Sequence, residues 1–304
     1  MTRYIVGRFL RTILTLLGVL TLAFTLGRVS GDPVSMMMPI DASEEDIERT
    51  RAMLGLDKPF LQQYFIYVGN ILRGDFGDSI TRGTPALDSV IAHAPASIRL
   101  GSAAFLIAIG IGIPGGMLAA YYRNRAPDNI LMTLSLAGQS LPSFFLGIAF
   151  ILIFSVQLKL TPVFGSDTWR HYILPVATLS VYSLAIVIRL TRSSMLEVLN
   201  QDYVRTARAK GLNESRVRVV HTLRNALIPV VTLLGLQLGG IISGTAIIET
   251  VFAWPGMGQL AVAAVNQRDF PIIQAVVLLS AFAFTTVNFG VDLLYLWLDP
   301  RIRV

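Results

Sequence analysis

The chain contains no cysteine, which excludes disulfides and thiolate metal ligands at once. Its three histidines, His93, His171 and His221, lie too far apart in sequence to suggest a metal site. Charge is scarce as well: 14% of residues are charged and 53% hydrophobic, whereas soluble domains carry roughly 25% charged residues. A deficit spread along all 304 residues implies lipid as the main solvent. None of the lysines Lys58, Lys159 and Lys210 follows a glycine, so no G-x-x-x-x-G-K-[ST] loop is available to cradle ATP phosphates. H-E-x-x-H and G-x-S-x-G are also missing, which removes the usual motifs of an intramembrane enzyme.

What is present is a series of six uncharged windows, bracketed by Arg11 and Arg28, Arg99 and Arg123, Asp128 and Lys159, Arg170 and Arg189, Arg224 and Glu249, and Asp269 and Asp292. A membrane-spanning helix needs about 17–25 such residues. The first window is slightly short, and Phe9 and Leu10 lengthen it if Arg11 snorkels. Arg3, Arg8 and Arg11 also resemble the positive region of a signal peptide, but Gly27-Arg28-Val29-Ser30 is a poor cleavage site, so an uncleaved helix is expected. The expectation is an all-α membrane protein with six transmembrane helices forming a single domain over 1–304.

The net charge of +6 sits in clusters between apolar runs, which sets topology and does not read as a nucleic-acid surface. With both termini cytoplasmic, the inner segments 1–11, 123–128, 189–224 and 292–304 hold 15 of the 25 Lys and Arg. The two short outer loops hold only Lys159, Arg170 and Arg268. This leaves an outer insertion, 30–97, between the first two spans. Ser43 before Glu44, Glu45 and Asp46 predicts an N-cap and a short helix to about Leu54. Phe60 to Leu72 is aromatic and amphipathic and predicts a helix at the outer surface or packed on the bundle. Arg73 to Asp78 predicts a glycine-bearing loop. A cap that receives a partner and a structural lid both fit this insertion.

No charge lies near the middle of any window, although a proton-coupled carrier needs a group at depth to hold the proton. Uncharged polar residues do occur there: Gln139 and Ser143 in the third span, Gln237 and Ser243 in the fifth, Gln274 and Asn288 in the sixth. Interhelical hydrogen bonding is one account of them, and a polar lining for a translocation path is the other. Gly112 and Gly116, Gly235 and Gly239, and Gly240 and Gly244 have the four-residue spacing of close helix contacts, and Pro114 and Pro142 predict kinks. Trp254-Pro255-Gly256-Met257-Gly258 cannot continue a helix cheaply and predicts a turn near the outer face, read either as a connecting loop or as part of an outer gate. Met36-Met37-Met38, without histidine or cysteine nearby, reads as apolar packing in preference to a copper site.

The cytoplasmic segment 194–225 is the most ordered in pattern. Residues 194–210 are helix formers, Gly211 suits a left-handed C′ position, and Asn213 or Ser215 can cap a second helix running towards Arg224. A plain positive loop explains the arginines, but not the alternation of cationic and small residues from Tyr203 through Arg205, Thr206, Ala207, Arg208, Ala209, Lys210 and Gly211 to Leu212.

That stretch resembles the cytoplasmic coupling motif of ABC importer permeases, Glu-Ala-Ala, three residues, Gly, nine residues, Ile-x-Leu-Pro. Gly211 takes the glycine place and Ala207 the second alanine, while Thr206 and Arg205 replace the first alanine and the glutamate. His221-Thr222-Leu223-Arg224 takes the Ile-x-Leu-Pro place with only the leucine kept. These departures are typical of the dipeptide/oligopeptide/nickel permease family. Gly31-Asp32-Pro33, Leu54 to Pro59, Gly74-Asp75-Phe76-Gly77, His171 to Pro175, Thr191-Arg192-Ser193 and Glu249 to Phe252 with Trp254 to Gly258 agree with it. Within that family the chain looks most like the B-type permeases of peptide importers, including those for glutathione.

The resemblance implies a type I ABC importer permease bundle in a bacterial inner membrane. It implies a second homologous permease, two cytoplasmic ATPase subunits that hold ATP and Mg2+, and a periplasmic or lipid-anchored substrate-binding protein. This chain would bind no cofactor and catalyse nothing, and Tyr203 to Leu212 would dock on an ATPase. Peptides, including glutathione, are the expected solutes, nickel or another small solute is the alternative, and an ATP-independent secondary carrier is the rival class.

Overall fold

The computed structural model describes residues 2–29, 43–53, 55–240 and 245–298. Met36 to Met38, Gly31 to Pro33, Leu54, Ser243 and Gly244 lie outside the described residues. The described residues are almost entirely helical, with no strand beyond one isolated bridge between Asp78 and Pro85. Five helices have the length and apolarity of membrane spans: Val6–Arg28, Ala86–Tyr121, Trp169–Leu199, Glu214–Gly239 and Phe270–Leu293. The expected third span is instead a pair of helices, Ala126–Ser140 and Ser143–Gln157, bent by 107°. Six spans result only if this pair crosses as one. The bend falls at Pro142, as its ring demands: it has no N–H to donate, and it forces Leu141 into an extended conformation (φ −84°, ψ 129°). Pro114, by contrast, sits inside an unbroken helix.

The chain divides into two compact units, 1–95 with 256–304, and 96–255. In the first, α1 (Thr2–Val29) packs along the final helix α12 (Phe270–Leu298), numbered in chain order with those between. Gln274 on α12 donates to the Ala23 carbonyl (3.2 Å), and Arg8 pairs with Asp292. The segment between the first two apolar helices supplies α2 (Glu44–Met53), with Ser43 Oγ accepting from the Asp46 amide at 3.2 Å, and α3 (Phe60–Leu72). Both match the sequence reading. The apolar side of α3 meets α1 through Phe24, whose buried ring lies against Phe60, Tyr64 and Tyr67.

The loop after α3 is fastened by Asp269, between α11 (Met257–Gln267) and α12. Burial alone would raise the pKa of this carboxyl. Hydrogen bonds from Ser79 Oγ (2.5 Å), Thr81 Oγ1 (2.8 Å) and the Thr81 amide outweigh burial and hold it below the ordinary carboxylate range.

The second unit is organised around α7 (Trp169–Leu199). Against it lie α4 (Ala86–Tyr121), α5 (Ala126–Ser140), α6 (Ser143–Phe150, continued as a wider π-helical turn, Ile151–Gln157), α9 (Arg224–Gly239) and α10 (Ala246–Val251). The glycine spacing read from the sequence has its physical counterpart here. A Cβ on Gly112 would stand 2.7 Å from Val187, and one on Gly116 would stand 2.5 Å from Thr191 and 2.7 Å from the Ile188 carbonyl. Gly138 on α5 meets Val181 in the same way, at 2.7 Å. Gly235 and Gly239 are buried. A polar tie joins α5 to α7: Arg192 grips the buried carboxylate of Asp128 with Nε (2.5 Å) and Nη2 (2.7 Å). The bidentate geometry offsets the cost of burying the Asp128 charge, while Arg192 stays partly exposed.

Because the obstacle at Gly116 is partly backbone, Gly116→Leu is expected to force the helices apart. It should lower the melting temperature of the detergent-solubilised protein by several degrees, whereas Gly110→Leu, at a position with open space, should leave it unchanged.

Candidate functional site

Two sites emerge in the second unit. The first is a cleft of about 590 Å³ framed by α4, α5, α6, α7 and α9. Three of the six residues expected to line a path converge on it: Gln139 at the end of α5, Ser143 at the start of α6, and Gln237 on α9. The Pro142 bend presents two of them, since it breaks the helix and turns the chain between Gln139 and Ser143.

Gln139 also accepts a hydrogen bond from Arg189 Nη1 (2.6 Å). Among the described residues, the buried Gln237 Oε1 has no hydrogen-bond partner, which is costly for a buried acceptor. The sequence reading missed Thr178, Tyr182 and Ser183, which line the same cleft. Thr178 and Tyr182 stand four residues apart on α7, a spacing from which a shared polar face was readable. The residues lining the cleft include no charged side chain.

The other expected path residues do not join it. Gln274 and Asn288 are on α12 in the first unit, where Gln274 bonds Ala23 and Asn288 donates back to the Phe284 carbonyl at 2.9 Å. Ser243 lies outside the described residues.

Trp254 to Gly258 is the turn between α10 and α11. Trp254 is buried, donates from Nε1 to the Ala96 carbonyl (3.1 Å) and meets Tyr172 edge-on at 4.4 Å. Gly256 caps α11, Met257 and Gly258 are buried in its first turn, and only Pro255 of the five is exposed. Nearby, Glu249 is fully buried and accepts from Ser97 and Thr245, each at 2.6 Å. By sequence alone this residue reads as the end of the fifth apolar window.

The second site is the segment over 194–225 that the family resemblance marks for coupling. The expected helix over 194–210 is divided: α7 ends at Leu199, and a separate helix, α8 (Asp202–Ala209), begins after Asn200 and Gln201. Gly211 follows with φ +74°, and Asn213 caps the next turn, Glu214–Arg216, by accepting from the Ser215 amide at 3.0 Å. That turn runs through Val217–Leu223 into α9.

The alternating sequence of α8 has two faces. Val204 and Ala207 are buried against Val217, with Val198 and Leu212 packed around them. Ala207 thus supports the hairpin from inside. Tyr203, Arg205, Thr206, Arg208, Ala209, Lys210 and Gly211 are exposed. Glu214 is exposed, and it accepts from Arg208 Nε at 2.8 Å, which ties the two arms of the hairpin. A Cβ on Gly211 would meet nothing within 4 Å, so glycine is favoured there by its backbone angle and not by space.

Comparison with known proteins agrees with this geometry along the whole chain. Residues 112–304 match the family described as binding-protein-dependent transport system inner membrane component, and residues 1–94 match the N-terminal part of such membrane components. The chain is 42% identical over 304 residues to the glutathione transport system permease protein GsiC of Escherichia coli strain K12. It is 42% identical to that of Shigella dysenteriae serotype 1 and 41% to that of Shigella boydii serotype 4. Each comparison covers 100% of this chain and 99% of the relative. With apolar helices long enough to span a bilayer and a match to both parts of the family, this chain belongs to the inner-membrane components of binding-protein-dependent transport systems.

Proposed function

We propose that the chain is one permease of an ATP-driven importer for glutathione and related short peptides. It works beside a second homologous permease, above two cytoplasmic ATPase subunits, and takes solute from a periplasmic or lipid-anchored binding protein. ATP and Mg2+ are held by the ATPases, and this chain contributes the path and the transmission. The observation that carries the reading is the α8–Gly211 hairpin, a short helix with an apolar inner face and a cationic, small-residue outer face. Such a surface is suited to enter a groove on a partner and to be oriented there by charge.

The cleft supports the substrate class. Gln139, Ser143, Thr178, Tyr182 and Gln237 offer donors and acceptors without net charge, which is the complement of peptide amide groups. ATP binding draws the ATPases together, α8 moves with them, and helices α5, α6, α7 and α9 open the cleft alternately to the two sides. Both termini face the cytoplasm, an orientation supported by the arginine clusters at 1–11 and 189–224.

In this cysteine-free chain, Ser43→Cys and Ser215→Cys should react with an impermeant maleimide from opposite sides of the membrane. Labelling of both from one side contradicts the topology.

The hairpin is tested at Gly211, where the left-handed backbone costs a leucine about 1–2 kcal/mol but is tolerated by asparagine. Gly211→Leu should cut glutathione uptake several-fold while membrane insertion stays normal, and Gly211→Asn should retain most of it. Equal, normal uptake by both variants contradicts the coupling role of this turn.

A further inference from the structure

A hollow of about 470 Å³ lies beside the last turns of α4, lined by Met117 and Tyr121 of α4, Leu199 of α7, and Arg208, Glu214 and Arg218 of the hairpin. The other attachments of α8 lead to α7, through Val198, and to α9. Val204 and Ala207 pack on Val217 in the turn that runs into α9, and Asn225 of α9 donates to the Tyr203 hydroxyl at 2.8 Å. Across the hollow towards α4 the connection is made by side chains in series. Arg208 Nε donates to Glu214 Oε1 at 2.8 Å, Arg218 Nε lies 3.5 Å from Glu214 Oε2, and the Arg218 guanidinium sits 3.6 Å over the ring of Tyr121.

We propose that Arg208, Glu214, Arg218 and Tyr121 form a relay that carries movement of α8 to the end of α4, so that α4 shifts in step with α7 and α9 when the cleft changes access. The proposal rests on the reading of α8 as the ATPase-coupling helix. An isolated exposed ion pair transmits little. Here both oxygens of one carboxylate are engaged by different arginines, and the second arginine is fixed by the face of an aromatic ring, well inside the 6 Å range of a cation–π contact. The span is held at both ends, since α8 is locked to its apolar core and Ala120, beside Tyr121, is packed with Met195 and Ala226 in the bundle. These four are positioning residues: none of them lines the solute cleft.

The relay makes a specific demand on Tyr121, because the ring holds the guanidinium and the hydroxyl does not. The test is the ratio of glutathione imported to ATP hydrolysed by the complete transporter in proteoliposomes, with assembly of the ATPases checked by co-purification. Tyr121→Phe should keep the wild-type ratio. Tyr121→Leu and Glu214→Ala should assemble but lose roughly fivefold in the ratio, the lower end of coupling effects between sites. Should Tyr121→Leu not assemble, the exposed Glu214→Ala decides alone. A wild-type ratio in Glu214→Ala, or a loss in Tyr121→Phe as large as in Tyr121→Leu, overturns the relay. Gly211→Leu in the same assay separates the two levels. If it lowers the ratio while Glu214→Ala does not, only the relay falls; if neither lowers it, the coupling role of α8 falls with it.

Discussion

Close approach of helix backbones to α7 is the constraint on which the second unit rests. In hydrocarbon, helices gain nothing by hiding leucines from one another, because lipid is equally apolar. What holds them is dispersion at short range, and that falls away steeply if side chains keep the backbones apart. Gly112 and Gly116 admit α4 to α7, and Gly138 admits α5, each at a distance where any side chain would collide. Once α4 and α5 are seated, Asp128 meets Arg192 and Gln139 meets Arg189. The Pro142 bend then has a fixed base from which to turn Ser143 into the cleft. Packing places the polar groups, and the polar groups give the cleft its chemistry.

The same helix leads to the α8–Gly211 hairpin. α7 ends at Leu199, and after a two-residue break the chain enters α8. Val198, on the last turn of α7, packs on the Val204, Ala207 and Val217 cluster. The bundle and the hairpin are therefore joined by apolar contact as well as by the chain itself. A separate α8, not a continuous helix, allows its cationic face to project while its apolar face stays anchored.

Much of this was legible in the sequence because it depends on local chemistry. The apolar windows, the Ser43 cap, the helix over Phe60–Leu72, the break at Pro142 and the left-handed Gly211 each follow from residues within a few positions of one another. The pairings across the fold were not legible. Asp128 and Arg192 are 64 residues apart, and nothing local distinguishes a paired carboxylate from one that ends a span. Glu249 looked like a boundary for the same reason, and its hydroxyl partner Ser97 is 152 residues away. Polar residues in spans carry no label for the face they occupy, so Gln139 and Gln237 reached the cleft while Gln274 and Asn288 did not. Ala207 was read as an outward contact because the family motif marks its position without marking its side. The 3.6-residue period, which puts Val204 and Ala207 together, was the signal that gives its inward direction.

The proposed role requires that this chain move solute only when an ATPase drives it through α8. It is tested most directly by glutathione flux into liposomes holding the purified chain alone, compared with liposomes holding the complete transporter, binding protein and ATP. Accumulation that needs the ATPases and ATP, and that is absent with the chain alone, is the predicted result. Accumulation by the chain alone along an ion gradient would contradict the account.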